Sequence, residues 1–138
     1  MLYFSKVYNY LADFRVNFKK SFKLVFAPKI FKLYLILTLV WQILAWYISV
    51  YVYRNLSGRL LILHYNVDFG TDLIGAPIRV FGGPLFALLI FLVNAVFALS
   101  LNRRQAASFL NHLLIAGAMV LNLFVLIALF TIYLSNFR

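Results

Sequence analysis

The residues best suited to chemistry lie in one short stretch. His64, Asp68 and Asp72 recur at four-residue spacing. One imidazole with two carboxylates is the donor set of a facial-triad metal centre, and on a helix that spacing would place all three on one face. Asn66, Gly70 and Thr71 interrupt any helix there. The alternative is structural: Asp68 and Asp72 pair with Arg59 or Arg79, or cap local turns through their side-chain oxygens. Nucleophilic chemistry has less to work with. The chain has no cysteine. It shows no Gly-x-Ser-x-Gly elbow, no Ser-x-x-Lys pair in a plausible site, no Walker loop and no dinucleotide fingerprint. We read a non-enzymatic chain without metal or cofactor.

A second set of polar residues sits inside apolar sequence: Thr38, Gln42, Asn94, Asn111, His112 and Asn122. Ion and proton paths need buried ionisable groups, and none lies in the middle of these stretches. Gln42, Asn94 and Asn122 therefore read as amide links between helices, each bond worth about 0.6 kcal/mol. Gln42 lies ~13 Å from one end of its stretch and Asn94 ~10 Å from the matching end of its own, so the two are expected to bond each other. Asn122 falls deeper, ~20 Å along, near the level of Trp46. His112 is expected near the bilayer surface.

The elements that carry these residues follow from hydropathy. Of 138 residues, 65% are hydrophobic and 12% charged, about half the charge of an average soluble domain. A water-soluble fold of this size could not hide so much apolar surface. Three stretches, 33–53, 80–101 and 109–134, each reach the ~20 residues that a helix needs to cross a bilayer. Main-chain groups in lipid must bond within their own segment, so all three are predicted helices. The fold class is an all-α membrane protein, with three transmembrane helices behind an amphipathic interfacial helix.

That interfacial helix is predicted over residues 1–28, with the three-span unit over 29–138. Phe4, Val7, Tyr8, Leu11, Phe14, Phe18, Phe22 and Val25 fall within an arc of about 120°. Arg15, Lys19 and Lys23 flank the stripe, with Lys20 on the far face. Pro28 ends the helix, since proline disfavours helix in the residue before it. The stripe suits lipid or the face of another subunit. The Lys and Phe content differs from the Arg- and Ser-rich pattern of a mitochondrial presequence, leaving the mitochondrial inner membrane as the second location.

The 13 Lys and Arg outnumber the 3 acids, for a net charge of +10. The basic residues flank the spans and form no nucleic-acid patch. Lys6, Arg15, Lys19, Lys20, Lys23, Lys29, Lys32, Arg103 and Arg104 share one side. Arg54, Arg59, Arg79 and Arg138 share the other. The positive-inside rule puts the larger set, and so the N-terminus, in the cytoplasm, with the C-terminus outside. Trp46, Tyr47, Tyr51, Tyr53 and Tyr133 gather at the outer end, as an aromatic belt does. The short link 102–108 makes the second and third spans an antiparallel pair.

Residues 54–79 form the outer loop, expected to fold back on the membrane surface through its apolar Leu60–Leu63. His64-Tyr65-Asn66, then Gly70 and Asp72, resembles a loop in the family of small bacterial membrane proteins that includes the immunity protein against the sporulation-delaying toxin. Leu63 stands where that family tends to carry proline, and its serine–lysine pair is missing here. The longer pattern HYN-x-x-FG-x-D-L-I-G is similar to three-span proteins of small-genome bacteria, a likeness that brings no activity with it. The resemblance implies a bacterial inner-membrane protein whose candidate functional residues are His64, Tyr65, Asn66, Asp68, Gly70 and Asp72. The expected role is an accessory or binding component of a membrane complex, with a protein partner or a second copy. An immunity or signalling protein and an oligomeric transporter or channel are the alternatives.

Overall fold

Proline and glycine set the breaks between the helices. The computed structural model describes residues 2–66, 68, 70–101 and 107–137. Helix α1 spans Leu2–Phe26 and α2 spans Lys29–Asn55. Between them Pro28 is extended, with φ −62° and ψ 139°. Its missing N–H and its effect on the preceding residue make it a natural break. A 3-10 turn at Pro77–Phe81 leads into α3, Gly82–Leu101. Helix α4 covers Ala107–Phe137. The link carrying Arg103 and Arg104, and also Arg138, lies outside the described residues, as do the side chains of Phe4, Val7, Leu11 and Phe14.

Three segments have the length and apolarity to cross a bilayer: Lys29–Asn55, Pro77–Leu101 and Phe109–Phe137, with mean hydropathies of 1.9, 2.4 and 2.7. Only 22% to 28% of their most apolar windows is buried inside the chain. Apolar surface left outside on that scale has lipid as its solvent. The chain is a small polytopic membrane protein, mostly helical, with a further helix before the three spans.

The helical fold class holds, and the segment between the first two spans, read from the sequence as a loop, carries two short strands. Leu61–Asn66 (β1) and Gly70–Gly75 (β2) form an antiparallel hairpin. The chain reverses between Asn66 and Gly70, which takes φ +77°, a conformation that glycine adopts without a Cβ clash. Gly75 admits a close neighbour: a Cβ there would lie 2.7 Å from Leu63 Cδ1.

Helix α4 packs against both α2 and α3. Side chains that are small or polar fill the contacts: Thr38, Ala45, Ser49, Ala87, Ala98 and Ala118 are all buried. Without a hydrophobic drive between helices in lipid, close backbone approach over small residues supplies the attraction. At the α1 end, Val25, Phe26, Phe31, Ala98 and Ile115 make one apolar cluster. At the hairpin end, Ala45, Val52, Leu61, Val80 and Leu129 make the other.

The expected Gln42–Asn94 bond does not form. Gln42 Nε2 donates to the Pro84 carbonyl at 2.8 Å, and Asn94 Nδ2 donates to the Leu114 carbonyl at 3.0 Å. Residues 84 and 94 are separated by ~15 Å of helix, so the two amides act at different levels. Counting from span ends misled because α2 runs on past the start of α3: the 3-10 turn still lies beside it, where Ser49 Oγ donates to the Val80 carbonyl at 3.3 Å. Asn122, expected to link helices, instead donates to Ala118 within its own helix at 2.9 Å. His112 packs on Phe31, ring centroids 4.3 Å apart. The neighbouring Asn111 is buried, its Oδ1 without a hydrogen-bond partner.

Candidate functional site

The hairpin is held to the bundle along one edge. Asn136, in the last turn of α4, accepts from the Ile62 N–H at 2.9 Å and donates to the Ile62 carbonyl at 2.8 Å. Its amide thus bonds β1 as a neighbouring strand would. The same Nδ2 also donates to the Ile132 carbonyl at 2.8 Å, which fixes the side chain on its helix. Leu61, fully buried in the apolar cluster, anchors the start of β1. Leaving two main-chain groups unmade would cost about 1–3 kcal/mol each, so this amide is a principal fastener of the hairpin.

Among the described residues nothing is bonded along the other edge. Ile62 faces Ile74 across the hairpin. Both main-chain groups of Ile62 point at Asn136, so this is a pair whose residues do not bond each other. The N–H and carbonyl of Ile74 therefore face away from β1. Thr71, Asp72, Leu73 and Ile74 are exposed. An edge of unpaired main-chain groups is a template for another strand.

The sequence candidates divide. His64 Nδ1 and Asp72 Oδ1 meet across the strands at 2.7 Å. Asp72 takes this partner in place of the expected Arg59 or Arg79. The side chains are 62% and 43% exposed, so the pair adds no more than about 1 kcal/mol. Its effect is to orient the ring through Nδ1. Asp68 lies exposed at the reversal, and the helical alignment that a triad needs is replaced by a hairpin. Among the described residues no three His, Asp or Glu side chains gather at one point. Gly70 makes the reversal, Tyr65 is exposed, and the side chain of Asn66 lies outside the described residues. Arg15, Lys19, Lys20 and Lys23 are exposed on α1, away from the hairpin.

Two features escaped the sequence reading. One is Asn136; an asparagine near a helix end has no local signature for gripping a strand 74 residues away. The other is a groove of about 450 Å³ between β1 and α4, lined by Leu63, His64, Tyr65, Thr131, Ile132 and Ser135. It is mixed in character, with the imidazole at one wall and hydroxyls on the other. The aromatic residues of this end pack on one another: Tyr51 packs on Tyr133 and Phe137, and Tyr53 and Trp46 pack on Phe81, with centroids 5.4 to 5.9 Å apart. No protein-family model, curated protein or solved structure matches this chain.

Proposed function

We propose that this chain is an accessory component of a bacterial inner-membrane complex, non-catalytic, with its N-terminus in the cytoplasm. The contact it offers is the hairpin, and the occupant is an extended segment of a neighbouring subunit added to β2. One observation carries the reading: β1 is closed against α4 by Asn136, while the Ile74 main-chain groups and the exposed Leu73 and Ile74 side chains remain on the free edge. Strand addition draws affinity from main-chain bonds and specificity from alternate side chains. A three-helix bundle whose polar residues bond to helix carbonyls adds support, because it offers no track of ionisable groups for transport.

The test is site-specific photocrosslinking in native membranes. A crosslinker at Leu73 should give one discrete adduct, and Ile74→Pro should abolish it by removing the edge N–H while α4 contacts persist. A probe at Tyr47, exposed on α2, is the control. Migration as a lone 16.0 kDa species in mild detergent, with no adduct from residue 73, would overturn the proposal.

A further inference from the structure

The stripe on α1 changes surroundings along its length. Val25 and Phe26 are buried in the bundle beside Phe31, Ala98 and Ile115. Phe22 packs at a tilt on Phe26 with centroids 4.8 Å apart, yet is 46% exposed. Phe18 follows at 6.3 Å from Phe22 and is equally exposed. A ladder of rings therefore leads out of the core along α1, starting from the level of the buried cluster. Ala98 marks that level, three residues or ~4.5 Å from the end of α3. An interfacial helix buries its apolar face ~5–10 Å into the boundary between headgroups and acyl chains, so the stripe leaves the bundle at the depth where such a helix sits.

Charge identifies the surface. Arg15, Lys19 and Lys23 flank the rings and are exposed, while Asp13 is the one acid in α1. Long basic side chains beside an apolar stripe reach upward from the boundary to the headgroup phosphates. We propose that α1 seats on a bilayer leaflet of net negative charge, rings in the acyl boundary and the three cations on anionic headgroups. The proposal is independent of what binds the hairpin.

The chain has no cysteine, so a single F22C substitution takes one polarity-sensitive fluorophore. Full-length protein would be placed in nanodiscs of phosphatidylcholine alone or with a third phosphatidylglycerol. The expected result is an apolar emission from residue 22 in the anionic discs, shifting toward the water value in the neutral ones and at high salt. A fluorophore at K20C, on the far face, should report water throughout. Each of Arg15→Gln, Lys19→Gln and Lys23→Gln should lower the ratio of seated to unseated helix about five-fold. These residues are exposed, so the variants keep the bundle. An emission from residue 22 indifferent to headgroup charge would overturn the proposal. So would equal shielding in lipid-free detergent, which would make the covering surface protein.

Discussion

At the scale of single residues, Asn136 outweighs the more conspicuous His64 and Asp72. The exposed His64–Asp72 contact is worth no more than about 1 kcal/mol, whereas Asn136 satisfies two half-buried main-chain groups at once. Asn136→Leu should therefore raise the hydrogen-exchange rate of the Ile62 amide by one to two orders of magnitude, reflecting about 1–3 kcal/mol of lost protection. Asn136→Asp keeps the acceptor for the Ile62 N–H and should lose less. His64→Ala should leave that rate within a few-fold of the original. The sequence made His64 and Asp72 legible because their types announce chemistry. It gave no such sign for Asn136, whose importance comes wholly from what the fold sets beside it.

At the scale of elements, helices were legible and the hairpin was not, for a physical reason. Lipid forces a span to be long, continuous and helical, so composition alone fixes it. A strand announces itself by alternation, and here the register shifts between Ile62 and His64 and again between His64 and Tyr65. Those irregularities erase the period of two, while the apolar Leu60–Leu63 run reads equally well as a surface loop. The amide links were half legible: the residue types pointed to interhelical bonds, and the partners depended on how far each helix slides past the next. Since Gln42 and Asn94 bond separate carbonyls, at levels of α3 ~15 Å apart, their substitutions should act independently. Asn94→Leu should cost about 0.6 kcal/mol. Gln42→Leu should be near neutral, because it also removes a buried Oε1 without a partner. In a double-mutant cycle by steric-trap unfolding, coupling above about 0.5 kcal/mol would mean that the two amides do touch.

At the scale of the whole molecule, the three spans place the hairpin and the α1 cluster at opposite ends. The proposed orientation, with the larger basic set in the cytoplasm, predicts that alkaline phosphatase fused after Phe137 is active and green fluorescent protein at the same place dark; the reverse pattern would invert the orientation. Helix lengths carry one more consequence. Helix α3 has 20 residues and α4 has 31; the latter is ~46 Å long against ~30 Å of hydrocarbon. Asn136 stands on that surplus. The length of α4 is thus set by a strand as well as by the bilayer. Inserting one residue ahead of Asn136 would swing its amide by ~100° away from Ile62. Seven would bring the direction back within ~20° but lift the amide by ~10 Å. The helix behaves like a keyed shaft: neither its angle nor its height can drift alone, so changes in length along α4 are barred even where lipid would accept them.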